Sequence, residues 1–154
     1  MSNNDPKRLV EYCLRVLGRK AYCEAELRSK LKNRTDDQAQ IERVVQTLKG
    51  WNLLDDFEFA KNYIRNTLIL KPKGTRLIKF ELLRKGINRE IVDNALRDQY
   101  TADQSEAIAD LAKKKFSKLD GVSREKKYQK MVSFLVRRGF EYDKVKKEVI
   151  RIID

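Results

Sequence analysis

Apolar residues recur at intervals of three and four along most of the chain, which is the spacing of one face of an α-helix. A clear example is the run Ile41, Val44, Val45 and Leu48. The 154 residues include only six glycines and two prolines, too few for the frequent tight turns of a β-sandwich or barrel. The pattern therefore predicts an all-α protein.

Two segments 53 residues apart share one pattern of helix end and turn: residues 82–87 read Leu-Leu-Arg-Lys-Gly-Ile, and residues 135–140 read Leu-Val-Arg-Arg-Gly-Phe. Basic side chains suit the negative end of a helix, and a glycine just beyond it can close the helix in the left-handed conformation. The apolar residue that follows is expected to fold back onto the helix. Asn88 is well placed to cap the next helix.

The first third of the chain carries a weaker copy, in which Leu27 and Leu31 correspond to Ile78 and Leu82 at a shift of 51 residues. Its turn, residues 33–36, has no glycine. A period of about 50 residues built from helices is typical of stacked helical arrays. We therefore expect three tandem three-helix units, at residues 1–54, 55–102 and 103–154, whose first helices span residues 7–17, 56–70 and 103–116.

Positive charge is spread along the whole chain. Lys and Arg total 35 against 23 Asp and Glu, a net charge of +12, divided as +4, +3 and +5 over the three expected units. Such an excess attracts polyanions, namely nucleic acid, an acidic membrane surface or an acidic protein. Because no apolar run approaches the roughly 20 residues that span a bilayer and no signal core begins the chain, we expect a cytoplasmic protein with no membrane partner.

The chain contains few of the residues that perform catalysis or bind metals. It has no histidine, no glycine-rich phosphate loop and no serine nucleophile elbow. Its two cysteines, Cys13 and Cys23, are too few for a zinc site and are expected to be free, partly buried thiols. The sequence therefore predicts no catalytic residue, no metal and no cofactor.

Three other residues admit two interpretations each. Asp55 and Asp56 precede a helical pattern, so an N-cap role is favoured over a paired acid–base or metal site. For Trp51, packing between two helices is favoured over stacking on a nucleobase.

Two segments, residues 71–89 and 113–138, concentrate the basic residues. The loop at residues 71–74 is expected to turn backbone N–H groups and lysines towards phosphates. The competing interpretation is a set of solvated helix faces whose charges complement helix dipoles. The candidate binding residues are Lys71, Lys73, Arg76, Arg84, Lys85, Lys113, Lys114, Arg137 and Arg138.

Four ordered segments span most of the chain: Cys-Glu-Ala-Glu-Leu-Arg-Ser-Lys-Leu at residues 23–31, Leu-Leu-Asp-Asp at 53–56 followed by Phe59 and Ala60, residues 73–87, and residues 134–140. Together they resemble the RecX family of bacterial regulators of the RecA recombinase. The family usually has serine at the position of Cys23 and often glycine near that of Asn52. A thiol is a weak acceptor for capping a helix, whereas asparagine tolerates the left-handed conformation.

The resemblance implies a curved, elongated array of three three-helix repeats. It also implies a protein without catalytic residues that binds in the groove of the RecA–DNA filament and inhibits RecA's ATPase, strand-exchange and coprotease activities, thereby controlling DNA repair and recombination. The expected partners are the RecA filament and, weakly and electrostatically, single- and double-stranded DNA; the chain is expected to be a monomer. The alternative is a stand-alone helical DNA-binding protein, which predicts tight, salt-dependent binding to duplex DNA without RecA.

Overall fold

The computed structural model describes residues 5–100 and 104–154. Within these ranges nine α-helices follow one another and no β-strand occurs. The helices are α1 Pro6–Leu17, α2 Glu24–Lys32, α3 Gln38–Gly50, α4 Asp56–Leu70, α5 Thr75–Arg84, α6 Arg89–Gln99, α7 Ser105–Phe116, α8 Arg124–Arg137 and α9 Tyr142–Ile153.

The prediction of an all-α protein is confirmed. Helix α4 has the predicted bounds, and α1 begins one residue earlier than expected, at Pro6. The predicted start of the seventh helix, Asp103, lies outside the described residues, and α7 begins at Ser105. Three helices fall in each expected unit, while the exact boundaries of those units stay a prediction.

Several helices begin where the sequence predicted a cap. The Asp55 carboxylate accepts a hydrogen bond from the Glu58 N–H at 3.1 Å, and Asn88 Oδ1 accepts one from the Glu90 N–H at 2.8 Å. Both side chains satisfy N–H groups that have no partner inside the helix. The N-cap interpretation of Asp55 is therefore confirmed, as is that of Asn88.

One compact unit contains residues 5–63 and 82–95. Its core is formed by the periodic apolar residues of α1, α2 and α3, together with Leu54 from the segment before α4. Burial of each large aliphatic side chain contributes about 1.5–3 kcal/mol. The buried core residues are Leu9, Cys13, Leu27, Leu31, Ile41, Val44, Val45, Leu48 and Leu54.

The second compact unit contains residues 64–81, 96–100 and 104–154. Its core lies among α7, α8 and α9 and comprises Ile108, Ala112, Leu119, Met131, Leu135, Phe140, Val145 and Val149. Each helix of the middle repeat, α4 to α6, contributes residues to both units.

In the part of the chain that the structure describes, no helix is long and apolar enough to cross a membrane.

Two expectations about single side chains have different outcomes. Cys13 and Cys23 are free thiols, as predicted, and both are buried. The packing interpretation of Trp51 is wrong, because this residue is 53% exposed. Trp51 is the C-cap residue of α3, and the next residue, Asn52, adopts the left-handed conformation expected of it, with a φ of 58°.

Candidate functional site

The first candidate element is the turn between α5 and α6, which we call the Gly86 corner (residues 84–87). Gly86 has a φ of 93°, in the left-handed region that favours glycine. The Ile87 N–H donates to the Leu82 carbonyl at 3.3 Å, and the Ile87 side chain is buried. The predicted helix end, with an apolar residue folding back, is therefore confirmed.

The Gly86 corner packs against the first turn of α2. The Cys23 thiol, just before that helix, donates to the Lys85 carbonyl at 3.4 Å. A Cβ atom placed on Gly86 would lie only 2.6 Å from the Cβ of Ala25. Glycine is therefore required both by the backbone conformation and by the close approach of α2.

Lys85 forms an ion pair across the same contact, with its Nζ 3.4 Å from a carboxylate oxygen of Glu26. The other Glu26 oxygen accepts a hydrogen bond from the Cys23 N–H at 3.2 Å. Partial burial alone would raise the pKa of Glu26, but the hydrogen bonds from Cys23 and the charge of Lys85 hold this pKa below its ordinary value of 4.5. The carboxylate is thus kept charged by the contact.

The turn between α8 and α9 repeats this arrangement, and we call it the Gly139 corner (residues 137–140). Gly139 has a φ of 94°, and the Phe140 N–H donates to the Leu135 carbonyl at 3.3 Å. This corner packs against the start of α5, where the Gly74 N–H donates to the Arg138 carbonyl at 2.7 Å. A Cβ on Gly74 would overlap the backbone of Gly139. The two glycines therefore allow these two backbone segments to touch.

Arg138 also joins the Gly139 corner to the loop before α5 through its side chain. Its guanidinium donates to the Pro72 carbonyl from Nη2 at 2.9 Å and from Nε at 3.3 Å. The same group lies 5.7 Å from the centre of the Phe134 ring, a distance at which a cation is attracted to the ring face.

The two contacts are equivalent, and we call them glycine junctions. In each one the residue before the middle helix of a repeat, Cys23 or Gly74, donates a hydrogen bond to the carbonyl of Lys85 or Arg138 in the following repeat. Each acceptor residue directly precedes the left-handed glycine. Sequence reasoning identified the corners but not their partners.

The nine predicted binding residues fall into two groups. Lys73, Lys85 and Arg138 are half-buried and have intramolecular partners; the Nζ of Lys73 lies 2.8 Å from Glu81. The other six are exposed: Lys71, Arg76, Arg84, Lys113, Lys114 and Arg137. The expectation that the N–H groups of loop 71–74 face phosphates does not hold for Gly74, because its N–H is bound to Arg138.

The sequence analysis did not identify a basic groove that lies between α7 and α8. Its volume is about 360 Å³, and its lining residues are Lys115, Gln129, Lys130, Ser133 and Arg137. Lys130, Ser133 and Arg137 follow the spacing i, i+3, i+7 of one helix face, which was the signal available in the sequence. Three cations and two polar side chains at one groove suit an anionic ligand such as phosphate.

The family models for RecX match the chain in three consecutive parts: the first three-helix domain at residues 10–48, the second at 55–96 and the third at 102–148. The chain belongs to the RecX family. Three three-helix domains are what the sequence repeats predicted, and that part of the prediction is confirmed.

Relatives and solved structures agree with this family assignment. Regulatory protein RecX from Prosthecochloris aestuarii is 32% identical over 99% of both chains. The protein of the same name from Clostridium perfringens is 33% identical over 84% of this chain and 61% of its own. The crystal structure of RecX from Lactobacillus salivarius has a TM-score of 0.86 at 26% identity, covering 97% of this chain and 96% of that one. The chain is thus a RecX-type regulatory protein.

The described residues give no sign of a metal centre: no three of their histidine, cysteine, aspartate and glutamate side chains come together in a group that would hold a metal ion. Asp56, which was considered together with Asp55 as a paired acid–base or metal site, accepts a hydrogen bond from the Glu24 N–H at 2.8 Å. This contact joins α4 to the first turn of α2.

Proposed function

We propose that this RecX family chain is a negative modulator of the RecA recombinase. It binds the RecA–DNA filament and inhibits RecA's ATPase, strand-exchange and coprotease activities. The observation that carries the proposal is the match to RecX domains along nearly the whole chain. A monomer in the cytoplasm is the form in which we expect it to act.

Exposed basic residues supply the filament contact in this proposal. Arg84 and Arg137 occupy equivalent positions at the ends of α5 and α8, and both residues are exposed. Lys85 and Arg138, one residue further, instead stabilise the glycine junctions. In this proposal Arg84 and Arg137 bind the partner, whereas Lys85 and Arg138 hold neighbouring repeats together.

The experiment that tests the proposal is RecA's DNA-dependent ATPase with increasing amounts of the chain. Inhibition well below a one-to-one ratio supports filament capping, and no inhibition at any ratio contradicts the proposed function. The double variant Arg84→Glu with Arg137→Glu is expected to inhibit clearly less, because it replaces two positive charges at the contact by negative ones.

A control pair separates the contact from net charge. Arg43→Glu with Lys146→Glu changes the total charge equally, at exposed positions outside the candidate set. This control is expected to inhibit like the wild type. Equal loss in both double variants would contradict the assignment of Arg84 and Arg137, without contradicting the RecA-directed function.

The basic groove of Lys115, Lys130 and Arg137 favours a second candidate function, direct binding to DNA phosphates without RecA. Fluorescence anisotropy with a labelled single-stranded oligonucleotide measures it. Tight binding that weakens steeply with salt supports a stand-alone DNA-binding protein. Weak binding, together with strong ATPase inhibition, supports the RecA-directed function.

A further inference from the structure

Phe80, on α5, differs from the other phenylalanines in how its ring is covered. Among those others, a lysine or arginine lies over four rings, 4.7–5.9 Å from the ring centre, and a fifth ring is fully buried. The four are Phe57, Phe59, Phe116 and Phe134, and the buried one is Phe140. Phe80 is 59% exposed, and no described cation or aromatic ring lies against it. Its ring is therefore available to a partner.

Two arginines flank this ring on the same side of α5. Arg76, Phe80 and Arg84 recur at intervals of four, which places them on one helix face, and all three are exposed. We call them the α5 face. The helical rise puts each arginine about 6 Å along the axis from Phe80. Glu81, the one acidic residue of α5, pairs with Lys73 at 2.8 Å. The α5 face therefore presents an aromatic ring between two cations.

The corresponding face of the next repeat lines the basic groove. The shift of 53 residues that relates Gly86 to Gly139 places three groove residues at the positions of the α5 face. These residues are Gln129, Ser133 and Arg137. The α5 face is thus the counterpart of a surface that suits phosphate, with an aromatic ring in place of a serine.

The groove also adjoins the start of α5. Arg137 belongs both to the groove and to the Gly139 corner, and the Arg76 N–H donates to the Gly139 carbonyl at 3.3 Å. These residues and Phe80 lie in the same compact unit. A strand whose phosphates occupied the groove would therefore have Arg76 and Phe80 close to its path.

We propose that the α5 face binds single-stranded DNA, with Phe80 stacked on an unpaired base and Arg76 and Arg84 in contact with the phosphates on either side. The inference rests on the second candidate function, direct DNA binding, and adds a base contact to the phosphate contacts of the groove. Positive surfaces with aromatic rings hold single strands in this way, because every base has a face on which a ring can stack. The chain therefore prefers single strands without preferring a sequence.

Two other occupants fit the α5 face less well. Duplex DNA is disfavoured, because its bases are stacked on one another and must be unstacked before a ring can reach their faces. An acidic protein surface would satisfy the arginines, but the core of a protein interface is a larger apolar patch. Phe80 is the one exposed apolar residue of α5, so it suits a single base better.

Fluorescence anisotropy in the absence of RecA tests the proposal with two labelled probes, oligo-dT and an abasic oligonucleotide with the same number of phosphates. We expect the wild type to bind oligo-dT more tightly than the abasic probe. Phe80→Ala should weaken oligo-dT binding by about five- to a hundredfold, the usual effect of losing one stacked base, and leave the affinity for the abasic probe unchanged. Phe80→Trp should retain oligo-dT binding, because an indole also stacks.

Two further variants separate the ring from its surroundings. Arg76→Gln should weaken the binding of both probes, because it removes a phosphate contact. The matched control for the ring is Tyr142→Ala. Tyr142, on α9, is similarly exposed, at 51%, but stands between the acidic residues Glu141 and Asp143. This control is expected to bind both probes like the wild type.

The outcomes separate the stacking site from the function on which it rests. Wild-type binding to oligo-dT with unchanged affinity of Phe80→Ala overturns the site and leaves direct DNA binding standing. Equal wild-type affinities for the two probes, or an equal loss of oligo-dT affinity in Tyr142→Ala, also overturn it. Absence of wild-type binding to either probe overturns both the site and direct DNA binding, and leaves the RecA-directed function standing. Loss of RecA ATPase inhibition in Phe80→Ala with unchanged oligo-dT affinity would assign the ring to a protein contact and overturn the proposal.

Discussion

Alanine at Gly86 is predicted to destabilise the protein for two separable reasons. The left-handed backbone conformation costs a residue with a Cβ about 1–2 kcal/mol. The new Cβ would also lie 2.6 Å from that of Ala25, and overpacking of this kind typically costs about 1–3 kcal/mol. The free energy of unfolding of Gly86→Ala should therefore fall by about 2–5 kcal/mol in total.

A matched variant isolates the steric part of this loss. Gly121 also has a positive φ, of 78°, but no atom lies within 4 Å of a Cβ placed there. Gly121→Ala should therefore lose only the backbone contribution, about 1–2 kcal/mol. Urea unfolding followed by far-ultraviolet circular dichroism measures both variants.

A double-mutant cycle tests the contact directly. Ala25→Gly alone should cost up to about 1 kcal/mol, because glycine is a poor helix former. Combined with Gly86→Ala, it removes the atom that the new Cβ would meet, so the two changes together should cost about 1–3 kcal/mol less than their sum. Equal losses in Gly86→Ala and Gly121→Ala, or strict additivity with Ala25→Gly, would refute the close approach of α2 to the Gly86 corner.

Three further predictions follow from the charged and reactive side chains. The pKa of Glu26 lies below 4.5 in the folded protein, so this residue contributes stability that is present above pH 4.5 and is lost as pH falls through the lowered pKa. The urea midpoint of Glu26→Gln should therefore fall less between pH 6 and pH 3 than that of the wild type. Equal falls of the two midpoints would contradict this prediction. Burial raises the pKa values of Cys13 and Cys23 to about 11, so both thiols should react slowly with a disulfide reagent at pH 8 and rapidly in denaturant; fast labelling of the folded protein would disprove their burial. Trp51, the single tryptophan of the chain, should fluoresce at the long wavelengths of a hydrated indole and be quenched by acrylamide, whereas blue-shifted emission would restore the packing interpretation.

Local signals predicted the helices and their ends well. A left-handed glycine, an apolar residue after it and a capping side chain before the next helix all act within a few residues, so the Gly86 and Gly139 corners could be recognised in the sequence. Asp55 and Asn88 were assigned as caps for the same reason. The three-helix repeats followed from repetition of these signals.

Contacts between distant residues could not be predicted in the same way. Cys23 and Lys85 are 62 positions apart, and only the packing of whole helices brings them together. The sequence shows that a lysine stands in the last turn of a helix but not whether it faces a carboxylate, the helix dipole or solvent. This is why Lys85 and Arg138 were grouped with the exposed Arg84 and Arg137. The curved, elongated arrangement of the repeats stays a prediction.

The internal partners of the basic residues limit how strongly salt can affect binding to DNA. Carboxylates already neutralise Lys73 and Lys85, so these two displace few counterions when DNA binds. Even if all seven remaining candidates contacted phosphates, the logarithm of the affinity would fall by about 5 per logarithm of salt on single strands and about 6 on duplexes. A steeper slope would mean that phosphates also contact basic residues outside the candidate set.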